Sequence, residues 1–260
     1  MRLPLYQVDA FTDRLFGGNP AAVVPLEEWL PEAAMQAIAT ENNLSETAFF
    51  VREGQGYGLR WFTPVAEIDL AGHPTLATAY VIFRFIKPSA RELIFRTMKA
   101  GTLAVARQGD ELAMDFPARP PEPCAVPPTL ALALGKPPIK VLASRDYMAV
   151  YESAADVAAL KPDFGAIAKL DRMVIATAPG DGDVDFVSRF FAPAHNINED
   201  PVTGSAHCTL IPYWAECLGK TRLKARQLSA RIGDLACEHR GERVTIAGRC
   251  VLYMEGAITL

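Results

Sequence analysis

The 260-residue sequence has no C-x-x-C pair; its five cysteines, Cys124, Cys208, Cys217, Cys237 and Cys250, are an odd and scattered set. That speaks against a disulfide scaffold and a zinc knuckle and leaves reduced, mostly buried thiols. Histidine is scarce, four in all, and His195 and His207 stand twelve apart without an i, i+4 partner, so spacing supports no metal site. No apolar run approaches the ~18–20 residues of a membrane span, and the run at 76–83 stops at Arg84. There is no basic excess either: a net charge of −4 lacks the field that sequence-independent nucleic-acid binding needs. The first nine residues show no apolar signal core, so a cytoplasmic protein is expected. Neither G-x-G-x-x-G nor G-x-x-x-x-G-K-[ST] occurs, and no G-x-S-x-G elbow surrounds Ser205, which removes the usual fingerprints of nucleotide binding and of serine hydrolysis.

What is present is half hydrophobic and 22% charged, the composition of a globular chain with a large core. The basic cluster Lys220, Arg222, Lys224, Arg226 alternates at period two and reads as the wet face of a strand. An internal repeat organises the rest. Arg60-Trp61-Phe62-Thr63-Pro64 is echoed 129 residues later by Arg189-Phe190-Phe191-Ala192-Pro193. Gly101-x-Leu103-Ala104-x₄-Gly109-Asp110 is echoed 132 residues later by Gly233-x-Leu235-Ala236-x₄-Gly241-Glu242. Between the echoes each half has a glycine opening a small-residue helix, Gly72-His73-Pro74-Thr75 and Gly204-Ser205-Ala206-His207. Six prolines in 117–128 suit neither a helix nor a central strand and mark a linker. The expected organisation is therefore a first domain over 1–117, a linker over 118–128, a second domain over 129–248, and a last strand over 249–260 that returns to the first domain. Strands outnumber helices; the helices are expected over 31–41, 74–85 and 204–218.

The free N–H groups of the two helix starts, at Gly72 and Gly204, form an anion site if both point at one ligand; otherwise Thr203 and Ser205 are caps and Gly72 a tight turn. Glu46 shares a strand face with Ala48 and Phe50. A carboxylate among hydrophobes has its proton affinity raised toward neutrality, as a group that takes and returns a proton requires; a strand-edge Glu in water is the bland alternative. Asp200, just before the second helix, is placed to cap it or to orient a histidine or substrate. His73 at the first helix start either donates to an oxyanion or caps a turn, and the helix terminus favours its neutral form.

Asp9-Ala10-Phe11, Gly18-Asn19-Pro20-Ala21-Ala22-Val23, Asn43-Leu44-Ser45-Glu46-Thr47, Phe62-Thr63-Pro64, Ala71-Gly72-His73-Pro74 and Asp200-Pro201-Val202-Thr203-Gly204-Ser205-Ala206 resemble, in order along the whole chain, the phenazine-biosynthesis PhzF-like family. The resemblance implies an α+β, diaminopimelate epimerase-like fold: two pseudo-symmetric domains, each a curved, mostly antiparallel sheet around a central helix, with the active site between them. It implies Glu46 as general acid/base, with Asp200 and His73 positioning or polarising the substrate. Gly72, Gly204, Ser205 and Asn19 fall in its substrate- and anion-binding positions. The activity implied is a cofactor-independent isomerase or epimerase moving a proton on a small carboxylate-bearing substrate, with a homodimer as the assembly and neither cofactor nor metal required. A non-catalytic binding member of the same fold is the alternative. Related epimerases and racemases use a cysteine pair just before the helix starts, where Ala71 and Pro201 stand here, so two-thiol racemisation is not expected. The stretch Ala206-His207-Cys208-Thr209 is closer to the uncharacterised members, the animal proteins among them.

Overall fold

The computed structural model describes residues 1–260. By contact, the chain divides into a unit of Met1–Asp115 with Ala247–Leu260 and a unit of Phe116–Ile246.

The first unit contains β1 (Arg2–Ala10), β2 (Asn19–Leu26), α1 (Glu32–Asn42), β3 (Glu46–Glu53), β4 (Gly56–Phe62), the two-residue β5 (Glu67–Ile68), α2 (Gly72–Val81), β6 (Glu92–Thr97), β7 (Thr102–Gln108) and most of β8 (Glu111–Pro117). β1 and β2 are antiparallel, β2 and β3 parallel, β3 and β4 antiparallel, β4 and β6 parallel, β6 and β7 antiparallel. Each parallel step needs a crossover, and α1 and α2 supply them. The chain's last strand, Cys250–Thr259, lies antiparallel to β1 from Arg2↔Thr259 to Ala10↔Cys250. Helix α2 has eight of its ten residues buried and packs on β1, β2 and β3; its buried Thr75 and Thr78 hydroxyls donate to the Ala71 and Pro74 carbonyls of its own backbone. The loop between β1 and β2 is tied by the Phe16 N–H, which donates to Asp9 Oδ2 at 3.0 Å. It closes on Gly18 at φ +59°, where a side chain would stand 2.0 Å from the Ala10 carbonyl oxygen.

The second unit contains β9 (Glu122–Pro123), α3 (Leu130–Leu134), β10 (Lys140–Ala143), β11 (Tyr147–Val150), α4 (Ala154–Ala158), α5 (Phe164–Ile167), β12 (Val174–Pro179), β13 (Phe186–Phe191), α6 (Gly204–Leu218), β14 (Arg222–Gln227), β15 (Gly233–Arg240) and most of β16 (Arg243–Gly248). The proline-rich stretch thus lies within this unit, and its β9 pairs with β10. From β10 to β15 the pairings run antiparallel, parallel, antiparallel, parallel, antiparallel, the same order as in the first unit. Helix α6 is the counterpart of α2. It buries ten of fifteen residues; Trp214 stacks on Phe186 at 5.9 Å and 7°, and its Nε1–H donates to Thr177 Oγ1 at 3.0 Å. Arg222, Lys224 and Arg226 lie on one face of β14, paired with Glu238, Asp183 and Asp234.

The duplication extends to one ion pair. Arg60 holds Glu67 through Nε and Nη2, both at 2.6 Å, and lies over the Phe62 ring. Arg189 holds Glu199 through the same atoms at 2.7 and 2.9 Å and lies over Phe191. Each pair secures the connection that leads into a central helix.

Candidate active site

In the first unit, Glu46 begins β3, 8% exposed, beside Ala21 of β2. His73, the second residue of α2, is buried, and its Nε2 is 3.1 Å from Glu46 Oε2. Its pKa is lowered to about 3, first by burial, against which a hydrogen bond to the Pro20 backbone works. Proline has only a carbonyl to offer, so the imidazole is the donor, and since Nε2 makes no hydrogen bond, Nδ1 carries the proton. The imidazole is therefore neutral, with an unprotonated Nε2 close to Glu46 Oε2 but not hydrogen-bonded to it. Asn19, fully buried, opens β2 one residue before Pro20, and Gly72 opens α2. Five of the first unit's motif residues, Asn19, Pro20, Glu46, Gly72 and His73, are thus brought to the α2 start and the adjoining strand ends.

In the second unit, Thr203 is the N-cap residue of α6, yet its side chain makes no capping bond; Thr203 Oγ1 donates instead to Asp200 Oδ2 at 2.5 Å. Gln227, fully buried at the end of β14, accepts from the Thr203 N–H at 2.9 Å and donates to the Asp200 carbonyl at 2.7 Å. That clamp fixes the Asp200–Thr203 turn and carries Asp200 to the helix start. Ser205 is half-buried, and its Oγ accepts from Arg145 Nη2 at 3.0 Å. Arg145, in the turn between β10 and β11, is held by Asp146, which is 1% exposed. Neither Gln227 nor the Arg145–Asp146 pair was legible as a site feature, because an Arg–Asp dipeptide in a turn and a glutamine ending a strand have no distinguishing spacing.

His207 lies one turn into α6 with Nδ1 2.8 Å from the Thr203 carbonyl; burial lowers its pKa to about 4. His195 is exposed in a short 3₁₀ turn (Pro193–His195). Cys208 is buried, which raises its thiol to about 11 against the positive fields of Arg119, Arg145 and Arg243, so it is poorly suited to act as a thiolate. Because both central helices open on glycine, Ala71 corresponds to Thr203 rather than to Pro201.

Register identifies the partner of Glu46. Thr47 pairs with Phe62, and Val174 with Phe191, the equivalent phenylalanine of the echoed motif. One residue earlier, Glu46 corresponds to Met173, so the second unit carries no acid at that place. The family model for phenazine biosynthesis-like proteins matches residues 8–256. The chain belongs to this family. It is 53% identical to an uncharacterised isomerase of Pseudomonas aeruginosa and 38% identical to a human phenazine biosynthesis-like domain-containing protein, over the full length of each chain. It is also similar to a PhzF-family crystal structure from Enterococcus faecalis, 50% identical with a TM-score of 0.97 over all of both chains. A hydroxyproline epimerase from Agrobacterium vitis, crystallised with trans-4-hydroxy-L-proline, shares the fold at 11% identity and a TM-score of 0.64, over 99% of this chain and 92% of that one. The phenazine biosynthesis-like chain described here accordingly has the α+β, diaminopimelate epimerase-like fold, and the two units show its repeated plan of mixed sheet and central helix.

Proposed function

We propose that this protein is a cofactor-independent isomerase, acting as a homodimer, that moves a proton on a small carboxylate-bearing substrate. Glu46 is its single acid/base. The observation that carries the reading is the buried Glu46–His73 contact, 3.1 Å at Nε2 of an imidazole kept neutral. The Glu46 carboxylate takes a proton from a carbon activated by the substrate's acid or unsaturation, and the C–H electron pair spreads into that system while the neutral His73 ring stays beside it. Glu46 then returns the proton to another carbon, or to another face of the same one, so nothing is gained or lost. Met173 at the equivalent place in the second unit supports a one-base route over a two-base route. The names of relatives, isomerases and an epimerase, support the reaction class. In the first unit the Gly72 N–H and Asn19 support the end of the site next to Glu46; in the second, Asp200, Ser205 and the Gly204 N–H form a place for an anionic group.

The test is deuterium incorporation from D₂O, read by NMR, into a panel of small carboxylates including L-proline, trans-4-hydroxy-L-proline and dihydro-hydroxyanthranilate. Wild type is expected to exchange at least one of them. Glu46→Gln is expected to lower that rate by about 10²–10⁴-fold, the usual contribution of a general acid/base, with the fold retained. Equal rates in the two proteins would remove Glu46 from the role.

A further inference from the structure

The two units place different chemistry at equivalent positions, and the difference bears on what the second one binds. Ala22 pairs with Thr47 in the first unit, and Tyr147 with Val174 in the second. Since Thr47 and Val174 are equivalent, so are Ala22 and Tyr147, and two residues earlier Pro20 corresponds to Arg145. His73 and Ser205 correspond because each follows a helix-opening glycine. Both pairs are in contact: the His73 ring donates to the Pro20 carbonyl, and Arg145 donates to Ser205 Oγ at 3.0 Å. Duplication has kept the contact and exchanged an acceptor for a cation.

The consequences for the Ser205 hydroxyl are chemical. Its oxygen accepts from a guanidinium, so its own hydrogen is directed elsewhere and is made more acidic by the cation beside it. Arg145 itself is anchored: Nε lies 3.0 and 3.1 Å from the two Asp146 oxygens, and Nη2 lies 2.7 Å from Oδ2. Its Nη1 makes no hydrogen bond within the protein, and 37% of the side chain is exposed. The rotamer entropy that a free arginine would lose on binding is already spent, because a buried carboxylate holds it. We propose that Arg145, held by Asp146 and acting with the Ser205 hydroxyl, is the specificity determinant that selects an anionic carboxylate over a neutral acceptor at the start of α6. The proposal deepens the isomerase reading and rests on it for the place of the substrate's acid. A neutral amide accepts one hydrogen bond from this set but gains nothing from the guanidinium charge, and an ammonium is repelled.

The experiment compares matched probes, benzoate with benzamide and L-proline with L-prolinamide, by chemical-shift titration of the Gly204 and Ser205 amides. Wild type is expected to bind a carboxylate at least about tenfold tighter than its amide. Arg145→Gln leaves Asp146 buried without its partner and risks unfolding, so the deciding variant is Arg145→Gln with Asp146→Asn, neutral at both positions. It is expected to melt within a few degrees of wild type and to bring the preference to about threefold or less, while Arg145→Lys keeps part of it. The proposal is overturned if no carboxylate up to about 50 mM shifts those amides, if amides bind equally well, or if the double variant keeps the preference. Glu46→Gln is expected to retain the preference. Selective binding without isotope exchange would therefore sink the isomerase reading and leave the role of Arg145 standing, and exchange without selectivity would do the reverse.

Discussion

His73 and His207 are removed from water by the two central helices, and both stay neutral where an exposed histidine would be charged. Their folded pKa values, about 3 and about 4, lie below the ordinary 6.5. Between those limits the unfolded chain binds protons that the folded chain refuses, so acid favours unfolding. Each histidine removes about 1.4 kcal/mol of stability per pH unit on descending from about pH 6 to about pH 4.5. Urea titrations at pH 7, 5.5 and 4.5 are expected to show that decline, and His207→Leu to remove roughly half of the histidine share of the slope. A variant with an unchanged slope would mean that His207 is hydrated in the folded protein. At this scale the sequence exposed Glu46 and His73 because a carboxylate in a hydrophobic strand and a histidine on a glycine-opened helix are locally conspicuous. Gln227 is not, because its role consists of bonds to residues 24 and 27 positions away in the chain.

The elements repeat more faithfully than their residues. The R-x-F-x-P echo was visible in the sequence, but its partners Glu67 and Glu199, each five residues before a helix-opening glycine, had no signature until the bidentate bonds showed them. Arg189 and Glu199 are 11% and 20% exposed, so the pair is partly desolvated. Arg189 also donates to the Leu160 carbonyl at 2.9 Å. Arg189→Met is expected to cost about 1–3 kcal/mol, less than a fully buried pair and more than a surface one. It should also speed hydrogen exchange at the Asp200 N–H, which donates to the Phe190 carbonyl at 3.0 Å. A global loss of stability without faster exchange there would show that the pair supports the core and not the turn that carries Asp200.

At the scale of the molecule, the first unit is discontinuous: its last strand arrives after the whole second unit has been made. That strand covers β1 over nine paired positions, and the chain ends meet where the N-terminal ammonium donates to the Leu260 carbonyl at 2.6 Å. Ending the chain after Arg249 would turn β1 into an open edge. The truncated protein is expected to lose exchange protection along β1 and to shift the emission of Trp29 and Trp61, both in the first unit, more than that of Trp214 in the second. Unchanged protection of β1 would mean that β2 alone holds it. No helix of the chain is long and apolar enough to cross a membrane.

The sequence by itself determined the family, the repeat, the three long helices and the residues whose neighbours along the chain make them unusual, because periodicity, capping and motif spacing are local properties. Tertiary structure decided which of those residues touch. It placed Glu46 against an unprotonated ring nitrogen, set Met173 as its counterpart, turned Thr203 from a cap into a partner of Asp200, and brought Arg145 to Ser205 across sixty residues. Protonation states and anion preference depend on burial and on hydrogen bonds between distant segments, and those quantities come into being only when the sheet registers are set.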